Sequence, residues 1–408
     1  MKKILIICSV LLFLFCPTIE ISTATLSISS DCMLTTAEAT TENNGDSEKQ
    51  LEEEIENQLG GLDFSQLDDI LKNLSSSQIS IFGGKSFFEK LHKLITGDFD
   101  SGKGMWGSII SIFFENILGL LPIISLIVAI SLLGSMLQGL KPTSNGKSIS
   151  NVIHFVTYGI IIVLVLSIVI KMISLTTSTI SSLKAQMDAI FPILLTFLTA
   201  IGGTVSTSVY QPAMALLTGT IVNIVTNLLL PIFIFSVVFS IVSNLSNTVK
   251  LDKFTSFFNS TFKWLTGLIF TVFSAFMSIQ GITAGTIDGI SIRTAKYAIR
   301  SYVPILGSYL SDGMGIILAS SNLIKNAVGA TGLFMLVATI ISPLLEIILF
   351  MLALKLVAGI IEPLGNKQVA NFISSLSKSM VLLIVLIIAV AFVYFIMLGL
   401  VMCSANII

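Results

Sequence analysis

Residues 189–249 read AIFPILLTFLTAIGGTVSTSVYQPAMALLTGTIVNIVTNLLLPIFIFSVVFSIVSNLSNTV, 61 consecutive positions without a charged side chain. A hydrocarbon core about 30 Å thick is crossed by about 20 helical residues, so this run has room for two spans. Pro192, Pro212 and Pro231 punctuate it, and the spacing predicts spans at about 190–210 and 215–243 with a break near Tyr210-Gln211-Pro212. The first of the pair is diluted by Gly202-Gly203-Thr204 and by several Ser and Thr. Lipid cannot satisfy an irregular backbone, so that segment is expected to face protein or a water-filled space, or to be re-entrant.

Outward from this run, further charge-free windows mark further spans. Asn116–Leu140 gives 25 residues and Ser148–Ile170 gives 23. Trp264–Ile287, Ala327 to about Ile341 and Ser379 to about Met402 add three more, and Leu344–Ile361 is a separate helix if Pro343 ends the one before it. The expected fold is all-α, a polytopic membrane helix bundle of seven transmembrane helices, or eight with the segment after Pro343. The whole chain agrees: 54% of its 408 residues are hydrophobic and 11% charged, against about 25% charged in soluble domains.

Its formal charge of −1 hides a division. Residues 25–104 hold 15 acids and 6 Lys, whereas residues 105–408 hold 7 acids and 14 bases. The bases are scattered between apolar runs and form no soluble basic face, so no nucleic-acid partner is expected. Met1-Lys2-Lys3, the uncharged stretch Ile4–Phe15 and the small residues Ser22-Thr23-Ala24 have the three regions of a secretory signal peptide. The domain reading is therefore a signal peptide over 1–24, an acidic extracytoplasmic segment over 25–104 and a multispanning membrane domain over 105–408.

Within the acidic segment, residues 25–44 are rich in Ser, Thr and acids and lack periodicity, which predicts a flexible linker. Leu51, Ile55, Leu59 and Leu62 recur at helical spacing, as do Phe64, Leu67, Leu71 and Leu74 after Gly60-Gly61. A third short amphipathic helix is expected over Ser86–Ile95. If the signal peptide is cleaved, Cys32 and Cys403 alone remain, too few for a disulfide framework.

An exported segment places the loop Lys141–Lys147 in the cytoplasm, together with Arg293, Lys296, Arg300 and Lys325. Seven spans leave six basic residues inside and eight outside, and eight spans move Lys367 and Lys378 inward. Lys250, Lys253 and Lys263 stay outside in both arrangements, against the positive-inside tendency.

Gly281, Gly285 and Gly289 form a small-residue stripe through which another helix can approach closely. Arg293, Lys296 and Arg300 share one helical face beside the apolar Ile292, Ala295, Ile299 and Tyr302. That pattern fits an interfacial helix on lipid phosphates, or one that binds an acidic partner. Glu115, Glu346, Lys355 and Glu362 are intramembrane polar candidates. A charge at mid-membrane costs roughly 2.5–3.5 kcal/mol on insertion scales, so these should face protein or water. Asn223, Asn227, His154 and Gln280 are further buried-polar candidates.

Catalytic, metal and cofactor sites find no support. Gly83-Gly84-Lys85-Ser86 and Gly146-Lys147-Ser148 resemble the end of a phosphate-binding loop, but Ile79 and Lys141 occupy the positions where its earlier glycine is required. The two histidines, His92 and His154, lie on opposite sides of the soluble boundary, and neither HExxH nor GxSxG occurs. The protein is therefore expected not to be an enzyme.

From Gln280-Gly281 the chain continues through Asp288-Gly289, Ser291, Arg293-Thr294-Ala295-Lys296, Val303-Pro304, Gly307 and Ser311-Asp312. Leu323, Lys325-Asn326, Gly329, Pro343, Lys355 and Pro363-Leu364-Gly365 complete the series. It resembles the stage III sporulation protein AE family of endospore-forming bacteria, from about residue 105 to the C-terminus. The resemblance implies a multi-pass subunit of the channel or secretion-like complex that links mother cell and forespore. Its implied partners are the lipid bilayer, an ATPase subunit and ring-forming subunits of the same complex, and its implied location is the mother-cell membrane around the forespore. The alternative reading is a stand-alone secondary transporter for a small solute. Transporters often show two similar halves with broken helices; here prolines interrupt spans, but the halves show no convincing repeat.

Overall fold

A computed structural model describes residues 53–83, 86–95, 103–139, 146–245, 251–302, 307–364 and 367–404, and among them there is no strand. The expected signal peptide and the linker over 25–44 lie outside the described residues. Two compact units are distinguished, Met1–Gly60 and Gly61–Ile408. In the first, residues 53–60 are helical.

The second unit begins with three short helices, α1 (Ser65–Lys72), α2 (Ser76–Phe82) and α3 (Phe87–Ile95). Their apolar faces bury Leu67, Leu71, Ile81, Phe82, Phe87 and Leu91. Ser75 opens α2 with a capping box: its hydroxyl accepts from the Gln78 N–H, and the Gln78 side chain accepts from the Ser75 N–H. That arrangement satisfies two donors which a helix start leaves free.

Six long helices follow: α4 (Lys103–Gly139), α5 (Gly146–Ala200), α6 (Thr204–Asn244), α7 (Asp252–Tyr302), α8 (Gly307–Ile361) and α9 (Lys367–Cys403). Each has an apolar stretch long enough to cross a membrane, and together they form an all-α polytopic bundle. Neighbours run antiparallel: Gly134 of α4 meets Thr157 of α5, Ser236 of α6 bonds Asn259 of α7, and Ser377 of α9 bonds the Met351 carbonyl of α8. The centre is α9, which packs on α5, α6, α7 and α8. Helices α1–α3 dock on α4, α5 and α8.

The described residues thus hold six spanning helices where charge-free windows divide into seven or eight, and the difference has two local causes. The expected break at Tyr210-Gln211-Pro212 is absent, because Pro212 lies inside a helix and the chain turns instead at Ile201-Gly202-Gly203. Residues 190–200 therefore complete α5, and residues 204–210 begin α6. Pro343 also lies inside a helix, with no break in α8. A proline in mid-helix frees the carbonyl four residues back, here that of Thr339, and the Gln78 side chain of α2 donates to that oxygen at 3.3 Å. The Thr339 hydroxyl is taken up in turn by Gln186 of α5 at 2.6 Å.

Six helices also regroup the charges. Alternation places the α4–α5, α6–α7 and α8–α9 connections at one end of the bundle, so Lys147, Lys253, Lys263 and Lys367 all gather there. The α5–α6 turn and the basic residues Arg293 to Arg300 occupy the other end. Helix α5 has 55 residues, about 82 Å at 1.5 Å per residue, well over twice the hydrocarbon core. Its outward face changes along that length, from Phe155, Ile160, Val163 and Ile170 to Lys171, Ser174, Ser178 and Ser181.

Candidate functional site

Two buried charges organise the end of the bundle where α5 turns into α6. That turn requires glycine twice. Gly202 has φ +94°, and a Cβ there would also stand 3.1 Å from Ile292 Cγ1, while one on Gly203 would lie 2.8 Å from the Leu198 carbonyl oxygen. A turn this tight leaves the first N–H groups of α6 without partners inside the helix. Asp288 of α7, fully buried, takes them: its two carboxylate oxygens accept from Val205 N at 3.0 Å and Ser206 N at 2.7 Å. Its negative charge sits on the positive end of the α6 dipole.

The second charge mirrors the first. Lys325 of α8 is fully buried, and its ammonium donates to the Ser404 carbonyl at the C-terminal end of α9, at 2.5 Å. A cation at the negative end of a helix is the complementary arrangement. The Ser404 hydroxyl bonds the Tyr210 hydroxyl at 2.7 Å and the Leu400 carbonyl at 2.8 Å. Tyr210 reaches it across Gly281, where an added Cβ would stand 2.7 Å from the phenol oxygen. One network therefore joins α6, α7, α8 and α9, each buried charge being compensated by a helix end. Beside Lys325, the side-chain oxygens of Asn322 and Asn326 are buried without a hydrogen-bond partner among the described residues.

The glycine stripe is used unevenly. Gly281 is in close contact, Gly285 is 3.8 Å from Ser404 by the same measure, and Gly289 faces open space. All three line a cavity of about 450 Å³ with Arg293, Leu400 and Cys403. Arg293 and Arg300 are exposed and Lys296 is half-buried, and Arg300 Nε donates to Ser311 of α8 at 2.9 Å. Glu346 pairs with Lys171 of α5 at 2.7 Å, with side-chain exposures of 16% and 69%. Glu115, Lys355 and Glu362 are exposed. Asn223 and Asn227 are exposed as well, not buried, while the side chain of His154 lies outside the described residues.

Lys325 is a correction: counted as a loop charge from sequence, it is a helix-terminal ligand inside the bundle. Asp288 carried no role from sequence beyond its place in the family series. The available signal for both was a single charge inside an otherwise apolar helical stretch, which must find a partner. An alanine at position 202 would adopt φ +94° against an L-residue's preference and press on Ile292. Such strain costs about 1–3 kcal/mol, so Gly202→Ala should lower the melting temperature of the detergent-purified protein; an unchanged value would mean the turn adapts freely.

A bundle of six apolar helices tied at one end by buried, dipole-compensated charges defines an integral membrane protein of the multi-pass, all-α class. Several residues of the family series make their contacts toward that end: Gly281 on Tyr210, Asp288 on the α6 start, Arg300 on Ser311, Lys325 on Ser404 and Gly329 against Met402. The chain belongs to the stage III sporulation protein AE family, whose model matches residues 86–405. It is 26% identical over 317 residues to the stage III sporulation protein AE of Bacillus subtilis (strain 168), covering 78% of this chain and 79% of that protein. No solved structure matches it.

Proposed function

We propose that this chain is a non-catalytic membrane subunit of a channel or secretion-like complex between mother cell and forespore, required for endospore formation. The observation that carries the reading is the family match, which takes in all six long helices and the network between them. In this reading the protein sits in the mother-cell membrane around the forespore and works with an ATPase subunit and ring-forming subunits. The connections bearing Lys141 and Lys147, Lys250 and Lys253, and Lys367 face the cytoplasm, in keeping with the positive-inside tendency. The exported N-terminal segment, α1–α3 and the end built around Asp288 and Lys325 then lie on the opposite side. Lys250, Lys253 and Lys263, on the wrong side in a seven- or eight-span chain, fall on the cytoplasmic side with six, whereas Arg293, Lys296, Arg300 and Lys325, expected in the cytoplasm from the sequence, fall on the opposite side.

A strain deleted for this protein is expected to complete engulfment and then arrest before the forespore matures, and the tagged protein isolated from sporulating cells should bring down an ATPase and ring-forming membrane proteins. Normal spore yield combined with lost uptake of one solute would overturn the reading in favour of a transporter.

A further inference from the structure

Helix α5 changes character along a single outward stripe. Val163, Ser167, Ile170, Ser174, Ser178 and Ser181 are all exposed and recur three or four residues apart, which keeps them on one side of the helix. Among the described residues, Ile170 is the last exposed large apolar side chain of α5, and Leu216 is the first of α6. In between, Lys171, Ser174, Ser178, Ser181, Asp188 and Thr196 are turned outward. From Lys171 to Ala200 this face runs about 45 Å at 1.5 Å per residue.

The helices around it do not change at the same level. Gly134 beside Thr157 fixes the antiparallel register of α4 on α5, and sets Phe113, Phe114 and Leu118 level with the stretch from Ser174 to Ser181. The pairs Thr199–Thr207, Ser206–Asp288 and Ser236–Asn259 carry that level through α6 to Trp264 and Leu268 of α7. All five of these large apolar side chains are exposed. Water leaves few such groups uncovered together, so lipid suits α4 and α7 here. It does not suit α5. A serine or threonine can return its hydroxyl to its own helix, as Thr177 and Thr196 do, but a lysine or aspartate has no such escape. The Lys171 side chain is 69% exposed although it pairs with Glu346, and Lys184 and Asp188 pair with each other on the outer surface. Ionisable groups at membrane depth turn to protein or to a water-filled space.

We propose that the outward face of α5 from Lys171 to Thr199, with the start of α6, borders a water-filled passage through the membrane, while α4 and α7 meet lipid at the same depth. The inference rests on the reading of this chain as a channel subunit and names the surface that forms the wall. That wall is neutral as well as hydrophilic, because Lys171 is matched by Glu346 and Lys184 by Asp188; it admits hydrated solutes of either sign. With its charges satisfied inside the chain, the face leaves mainly hydroxyl groups, which water matches without fixed geometry. It ends at the groove between α5 and α6, of about 490 Å³, where Thr196, Thr199 and Gln211 are exposed and Phe191 and Met214 are buried.

The test uses the full chain in open membrane fragments from sporulating cells, with Cys8, Cys16, Cys32 and Cys403 replaced by serine. Single cysteines are introduced by Ser178→Cys and Ser181→Cys on α5, and by Phe114→Cys and Leu268→Cys at the same level on α4 and α7. All four positions are exposed in the fold, so differences in labelling report the solvent and not steric access. Two small membrane-impermeant thiol reagents are applied, one a sulfonate and one a quaternary ammonium. Both should label positions 178 and 181 and leave 114 and 268 at the background of the cysteine-free protein. Absence of labelling at 178 and 181 would mean that protein or lipid covers the face, and labelling at all four that this level stands outside the membrane; either result overturns the proposal. Labelling by only one of the two reagents would overturn it as well, since the wall is neutral. None of these readouts depends on spore yield, so failure here is distinct from failure of the proposed cellular role.

Discussion

Asp288→Ala is expected to destabilise the protein by about 3–5 kcal/mol, since it strands two N–H groups at a buried helix start, each worth about 1–3 kcal/mol when left unsatisfied. The site offers no ready replacement. Val205 N and Ser206 N both point at the carboxylate, and Asp288 and Ser206 are fully buried, so water does not reach them at the surface of the fold. Nor is the turn free to rearrange, because Gly202 and Gly203 are held against Ile292 and Leu198. Asp288→Asn keeps one oxygen acceptor, loses the charge on the helix dipole and should cost less, about 1–2 kcal/mol. Thermal unfolding of detergent-purified protein should therefore rank wild type above Asn and Asn above Ala. An Ala variant as stable as wild type, or an Asn variant as damaged as Ala, would show that the cap is not what holds this end together.

That cap was out of reach of sequence reading for a physical reason. The helix class was legible because it rests on composition over windows of about 20 residues, a local property that needs no partner. Short helices with a clear apolar period were legible for the same reason, as at Leu67 and Leu71 or Phe87 and Leu91. Helix α2 has a weaker period, yet Ser75-Ser76-Ser77-Gln78 contains the spacing of a capping box, a local signal that was present and unread. The span count depended on what prolines and glycines do inside lipid. Pro343 reads as a break until Gln78, 261 residues away in sequence, supplies the donor for the freed Thr339 carbonyl. Gly202-Gly203 reads as dilution of a span until Asp288 and Ile292 are seen to close around it.

The candidate site divides along the same line. Gly281 was recognisable as a close-approach position because a small-residue stripe is periodic, although Gly289, in the same stripe, touches nothing. The Arg293, Lys296 and Arg300 face was visible as a helical pattern. What gives Asp288 and Lys325 their meaning is a helix terminus on a different element, 82 and 79 residues distant in sequence from the groups they bind. Charge counting cannot distinguish such a residue from a loop lysine, and it placed Lys325 among the loop charges. Only the packing of α8 against α9 reassigns it.

Lys325→Glu should be strongly damaging, with a loss beyond that of Lys325→Met, and the gap between them measures the role of charge. In the wild type the ammonium supplies a charged donor to the Ser404 carbonyl at the end of α9, a bond worth about 1.5–3 kcal/mol. Methionine fills similar volume and also removes the need to bury a cation, so part of that loss is returned; its net cost should be no more than about 2 kcal/mol. Glutamate places an anion against the Ser404 carbonyl at the negative end of a helix, with Asn322 and Asn326 close by in sequence. An uncompensated buried charge costs about 3–5 kcal/mol, which is a large part of the total stability of an ordinary domain. The Glu variant should therefore fail to accumulate in membranes, while the Met variant accumulates and melts slightly below wild type. Accumulation of Lys325→Glu at wild-type levels would mean that position 325 opens to water, and the helix-end account of this network would fall.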